Sequence, residues 1–256
     1  MKLTKVNLDI NDFPMELHPL LKNGTVYDSS CSSNAKVYYL DSGFFLKIDE
    51  AGELKREAEL TKTFFERGLG VEVVSFIQKD KDYMVTRAAV GKDATHYLEY
   101  PKMLCEILAK ALLELHRTDY DNVSMSTRME RYLESAENRD LGVYEEYVLL
   151  NRFRPMSKEE AWEIMQENKH KFKCDTLIHG DYCLPNVILN DGKFSTLIDF
   201  NMAGVGDKHI DLYWAIWSLS HNLQTDEYQD YFLDLYGREN FDYNMLKVIA
   251  AFEVFG

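Results

Sequence analysis

The chain has 256 residues, 46% of them hydrophobic, with 43 acidic against 29 basic side chains and a formal charge of −14. Such length and apolar content suffice for one large domain or two lobes sharing an interface, and the acidic balance disfavours nucleic acid and anionic membrane as partners. No run nears the roughly 18 apolar residues of a membrane span, Met1 to Asp9 lacks a signal peptide's apolar core, and Cys31, Cys105, Cys174 and Cys183 form no C-x-x-C pair, so a soluble cytoplasmic protein with free thiols is expected.

The first third reads as strands around one helix. Val37 to Leu40 and Phe44 to Ile48 are short β-prone runs flanking Asp41-Ser42-Gly43, where the glycine supplies the positive φ of a tight hairpin. From Glu53 to Arg67 the residues Leu54, Ala58, Leu60, Phe64 and Phe65 recur at helical spacing, and Gly68 stands at the C-cap. Val71 to Ile77 and Tyr83 to Ala88 read as two further strands, completing a small antiparallel sheet, and residues 87–92 read as a hinge between an N-terminal lobe, 1–88, and a C-terminal lobe, 89–256.

Beyond Pro101, a good first helical residue, Met103, Leu104, Ile107, Leu108, Ala111, Leu112 and Leu115 make the apolar stripe of a buried helix, and helical patterns dominate from there. The exception lies between Thr176 and Asp199: a loop, a strand at Val187 to Leu189, an Asn190-Asp191-Gly192 turn and a strand at Phe194 to Ile198.

That interruption carries the chemistry. His179-Gly180-Asp181-Tyr182-Cys183-Leu184-Pro185-Asn186 sets an Asp and an Asn on an irregular loop, and the following hairpin ends in Ile198-Asp199-Phe200. Phosphoryl transfer has a loose transition state and needs mainly positioning and charge compensation: a carboxylate to orient the attacking hydroxyl, and oxygen ligands for Mg²⁺. Asp181 suits the first role. Asn186 and Asp199, hard oxygen donors that leave coordination sites for water and phosphate, suit the second. A metallophosphatase is the rival active reading, but the chain lacks an upstream D-x-H and any Gly-Asn-His.

With H-G-D-x-x-x-x-N and the later I-D-F, the chain resembles the aminoglycoside phosphotransferase family, over about Asp28 to Phe255. The resemblance implies an α+β, two-lobed protein-kinase-like fold: an antiparallel N-lobe sheet with one key helix and a larger, mainly helical C-lobe holding the catalytic loop and hairpin. It implies a kinase that uses ATP or GTP with Mg²⁺ to phosphorylate a hydroxyl of a cationic aminoglycoside, conferring antibiotic resistance. Lys47 matches the phosphate-binding lysine and Glu57 its ion-pair partner, with Glu53 and Glu59 as rivals. Ser33 falls in a serine-containing nucleotide loop, Phe45 at the adenine platform, and Thr86 to Ala88 in the segment that reads the base edge. Asp211 is the expected brace of the catalytic loop, and His179 is expected to shape that loop rather than act as a base.

Family members of this kind line the acceptor pocket with carboxylates for ammonium groups, which marks Glu145, Glu146, Glu253 and the terminal carboxylate of Gly256 as candidate substrate ligands. Three positions depart from the pattern: Leu184 and Phe252 stand where acids are frequent, and Met202 replaces an expected Arg. A kinase of the same fold for choline, a sugar or a macrolide is therefore an alternative, and a silent nucleotide-binding module is another. The retained set Lys47, Glu57, Asp181, Asn186 and Asp199 argues against the silent module. Trp214 and Trp217 read as core, Cys183 as a bystander, and His116 as a residue holding a helix end.

Overall fold

Tight turns at Asp41-Ser42-Gly43 and after Gln78 fold the first part of the chain into a meander. The computed structural model describes residues 3–22, 24–30, 35–137 and 143–255, and the chain divides into two compact units, Met1–Ala89 and Val90–Gly256.

In the first unit, strands β1 (Thr4–Val6), β2 (Val26–Asp28), β3 (Lys36–Leu40), β4 (Phe44–Glu50), β5 (Val73–Gln78) and β6 (Lys81–Arg87) form a six-stranded sheet in the order β1-β2-β3-β4-β6-β5, antiparallel throughout. A short helix, α1 (His18–Leu21), precedes β2. The outer strands β1 and β2 were not foreseen, because three residues such as Thr4-Lys5-Val6 carry too little alternation to announce a strand. Period-2 alternation sends Leu46 and Ile48 of β4, with Tyr83 and Val85 of β6, into one core alongside Leu17, Val26 and Leu40. Met84 faces the other way, under Leu54 and Ala58 at the start of helix α2 (Lys55–Glu66). Lys47 pairs in register with Met84 and so shares the α2 face.

Asp82 anchors the entry to that helix. Fully buried, its carboxylate accepts from Gly52 N (2.9 Å) and Leu54 N (3.0 Å), which have no helical partner of their own.

The second unit is mainly helical: α3 (Pro101–His116), α4 (Thr127–Glu137), α5 (Lys158–Asn168), α6 (His209–Leu223), α7 (Glu227–Tyr236) and α8 (Tyr243–Glu253). Helix α3 packs on α7, and α8 packs on both α5 and α6. Two small sheets interrupt the helices. In one, β9 (Val187–Asn190) pairs with β10 (Lys193–Leu197) and with the two-residue β7 (Lys92–Asp93); in the other, β8 (Thr176–Ile178) pairs with β11 (Gly204–Gly206). Among the described residues no helix is long and apolar enough to cross a membrane.

Candidate active site

Strand β8, buried at all three positions, delivers the chain into His179, and its pairing with β11 brings residues 202–203 alongside. At Gly180 the backbone takes φ +78°, and a β-carbon there would lie 2.1 Å from the Met202 carbonyl oxygen, so only glycine fits. Asp211, on the first turn of α6 and wholly buried, accepts from His179 N and Gly180 N at 2.8 Å each. Behind it, His116 Nε2 lies 3.2 Å from Asp211 Oδ2 and His116 Nδ1 lies 2.8 Å from the Tyr236 hydroxyl. A carboxylate only accepts, so Nε2 carries a proton toward Asp211.

The same logic assigns the His179 ring. Nε2 donates to the Ile198 carbonyl at 2.9 Å, while Nδ1 accepts from Asp181 N at 3.3 Å. One side chain thereby ties the start of the loop to the end of the hairpin. Asn186 completes the closure: its Nδ2 donates to Asp181 Oδ2 at 2.9 Å and to Asp181 O at 3.0 Å, and its carbonyl accepts from Ile198 N at 3.0 Å. With Nδ2 turned to Asp181, the amide's Oδ1 takes no part in that contact. Asp199 follows Ile198 directly, in the left-handed region at φ +64°, with an exposed side chain. A non-glycine residue held there is the kind of backbone strain that clusters at functional sites.

The arrangement can hold a hydroxyl against Asp181 and offer two hard oxygen donors, Asn186 Oδ1 and the Asp199 carboxylate, to a divalent cation. Among the described residues no three His, Cys, Asp or Glu side chains gather into a cage. Such a donor set fits Mg²⁺, which takes one or two protein ligands and completes its shell with water and phosphate, better than a cation needing a full protein cage. Cys183 sits inside the loop, but burial, then the Asp181 charge, push its thiol well above the ordinary range, so it is no nucleophile.

In the first unit, Lys47 Nζ lies 2.8 Å from both carboxylate oxygens of Glu57, whose side chain is 3% exposed. The rivals Glu53 and Glu59 are exposed on the surface. Phe45 is half-buried against Tyr39, ring centroids 5.0 Å apart, and Thr86 pairs with it across the sheet. Within the Thr86 to Ala88 segment expected to read the base edge, the Ala88 N–H is donated to Gly43 O at 3.0 Å. Ser33 and Gly256 lie outside the described residues.

On the acceptor side, Glu145 and Glu146 precede and open a short turn, Glu145 half-buried and Glu146 exposed, and Glu145 N donates to Val254 O at 2.8 Å, which fixes this segment to the end of α8. Glu253 departs from expectation. Its carboxylate is occupied by Arg128 Nη1 (2.8 Å to each oxygen), Trp214 Nε1 (2.7 Å) and the Tyr132 hydroxyl, and it is 3% exposed, so it is not presented to a ligand. Burial without such partners would cost several kcal/mol, which is why the side chain turned inward takes them all. The departures at Leu184 and Phe252 are also packing positions: Leu184 is buried, and Phe252 stacks on Tyr132 and meets Phe172 edge-on. Asp82, Arg128 and Ser218, whose hydroxyl accepts from Leu184 N at 2.9 Å, escaped notice because their partners are far away in sequence.

A family model described as phosphotransferase enzyme family matches residues 28–247. The chain is 39% identical, over 99% of both chains, to a probable aminoglycoside 3'-phosphotransferase of Lactococcus lactis. Among solved structures it resembles an aminoglycoside-3'-phosphotransferase of type VIII (TM-score 0.66, 19% identity, 99% of this chain and 94% of that one). It also resembles the Streptomyces rimosus aminoglycoside phosphotransferase in complex with ADP and streptomycin (TM-score 0.64, 16% identity, 86% of this chain and 90% of that one).

Proposed function

The chain belongs to the phosphotransferase enzyme family, and on that premise we propose that it moves the terminal phosphoryl group of ATP or GTP to a hydroxyl of an aminoglycoside, inactivating the antibiotic in the cytoplasm. The observation that carries this reading is the closed loop: Asp181 held by Asn186 and His179, with Asp199 on the next residue after Ile198. The full-length likeness to a probable 3'-phosphotransferase supports the acceptor class, and the Streptomyces rimosus complex with ADP and streptomycin supports the pairing of nucleotide with aminoglycoside.

Asp181 Oδ1 faces the acceptor hydroxyl, orients its lone pair and takes its proton as the phosphorus–oxygen bond forms. The Asn186 bond to Oδ2 fixes the carboxylate's rotation, so Oδ1 is the oxygen left to act. Asn186 Oδ1 and Asp199 would hold Mg²⁺, which when bound neutralises charge on the phosphate oxygens. In the first unit, Lys47 is the residue for a phosphate oxygen, with Ser33, Phe45 and the Thr86 to Ala88 segment as the residues for the rest of the nucleotide. Glu145 and Glu146 face the acceptor's ammonium groups.

Replacing Asp181→Ala tests the reading directly. Phosphorylation of kanamycin-class drugs is expected to fall by on the order of 10²–10⁴, while nucleotide still raises the melting temperature. Near-wild-type turnover would remove Asp181 from the mechanism. Activity on choline, sugars or macrolides with none on aminoglycosides would reassign the acceptor and leave the phosphotransferase chemistry standing.

A further inference from the structure

Asp211, Trp214 and Ser218 are spaced i, i+3 and i+7 along α6, so they share one face over about 10 Å of helix. The loop of residues 179–186 runs along that face. Asp211 holds His179 N and Gly180 N, the Trp214 carbonyl lies 3.9 Å from Cys183 Sγ, and the Ser218 hydroxyl accepts from Leu184 N at 2.9 Å. The helix therefore ties the loop at its entry and again at Leu184.

Ser218 and Leu184 are both buried. The Ser218 oxygen also accepts from Asn222 Nδ2 at 3.2 Å, and the same amide donates to Ser218 O at 2.7 Å, so the hydroxyl is held between the loop and the next turn of the helix. Leu184 opens a single 3-10 turn, Leu184–Asn186, and Cys183 before it supplies no side-chain cap. The first N–H of such a turn has no partner within it, and a buried N–H left unmet costs about as much as a lost hydrogen bond. Ser218 meets that need from 34 residues away in sequence. The turn it fixes ends in Asn186. Only Pro185, whose ring locks one backbone angle, separates the two residues. Asn186 Nδ2 holds Asp181 Oδ2 at 2.9 Å and Asp181 O at 3.0 Å.

Resting on the phosphotransferase reading above, we propose that Ser218 is a positioning residue for phosphoryl transfer: by holding Leu184 N it fixes the turn from which Asn186 sets the rotation of the Asp181 carboxylate. Asp211 anchors only residues 179 and 180, ahead of Asp181. The amide that holds Asp181 Oδ2 comes from the far end of the loop, so its place depends on what holds the turn. Removing the Ser218 oxygen leaves Leu184 N without its acceptor, the turn shifts, and Asn186 moves with it. A misplacement of about 1 Å between reacting groups costs on the order of 10²-fold in rate.

The test compares Ser218→Ala and Ser218→Cys with wild type in steady-state phosphorylation of kanamycin or, should kanamycin be inert, of whichever choline, sugar or macrolide acceptor wild type turns over. Melting temperature with and without Mg-ATP reports the folded fraction of each variant. Ser218→Ala is expected to lower kcat by about 10- to 10²-fold, with KM for acceptor and nucleotide within about twofold of wild type. Ser218→Cys, close in size with a weaker acceptor atom, should fall between the two, and it decides the matter if Ser218→Ala does not fold. A folded variant with wild-type kcat overturns the inference, even if its melting temperature has dropped, because the contact then serves stability alone. A raised KM at unchanged kcat overturns it too, since that places the effect in binding. If wild type phosphorylates no acceptor, the phosphotransferase reading falls and takes this inference with it.

Discussion

Glu57 in the first unit and Glu253 in the second are equally buried, each 3% exposed, yet they are used in opposite ways. Glu57 meets a lysine whose side chain keeps 19% of its surface accessible, so the cation it holds still borders solvent. Glu253 meets an arginine, an indole and a phenol, and four hydrogen bonds from inside the fold end on its two oxygens. The contrast follows from the cations. Ammonium is a compact charge on a flexible stem, able to turn; the planar guanidinium of Arg128 sets Nη1 on both Glu253 oxygens while lying over the Trp214 ring, which commits it to one place. Identical burial of a Glu therefore goes with a cation that borders solvent in one unit and one enclosed by aromatic rings in the other.

The comparison breaks most visibly on removal of each carboxylate. Glu253→Ala leaves a buried guanidinium unpaired and is expected to cost about 3–5 kcal/mol in urea unfolding of the full chain. Glu57→Ala strands a lysine that can still reach water, so a smaller loss of about 1–3 kcal/mol is expected, together with weaker stabilisation by nucleotide in a thermal-shift titration. Equal losses would mean that the two pairs are alike after all.

The course of the loop was legible in the sequence because its parts are local: Asp181 and Asn186 are five residues apart, and Asn190-Asp191-Gly192 announces the turn that returns the chain to Asp199. The Asp41-Ser42-Gly43 hairpin and the helix carrying Glu57 were readable for the same reason. Arg128 was not, since nothing in Ser126-Thr127-Arg128-Met129 signals a partner on the final helix. Strands β8 and β11 were missed because Gly204-Val205-Gly206 has poor strand propensity and is recruited by its neighbour's register. Glu253 was misassigned since sequence position says which end of a helix a residue occupies, not which way its side chain turns.

A third carboxylate sharpens the contrast from the side of pH, with the smallest effect. Burial would raise Asp207, but the hydrogen bond and charge of His209, with backbone N–H groups of Lys173 and His209, outweigh it and hold the group below the usual carboxylate range. Because the folded value is depressed, its stabilisation is complete above about pH 4, the unfolded value, and is lost as pH falls through the lower folded one. Asp207→Asn should flatten the acid limb of stability, with a slope change of at most about 1.4 kcal/mol per pH unit in urea titrations. An unaltered acid limb would show that the His209 contact contributes nothing in solution.

The grip of Asp211 on His179 N and Gly180 N has a consequence for how this protein can vary. An oxygen that holds amide hydrogens is indifferent to which side chains those amides carry. The path of the loop is thus decoupled from the identities of Tyr182, Cys183 and Leu184 as far as this anchor is concerned. The entry to the loop can therefore keep its course while residues further along it change.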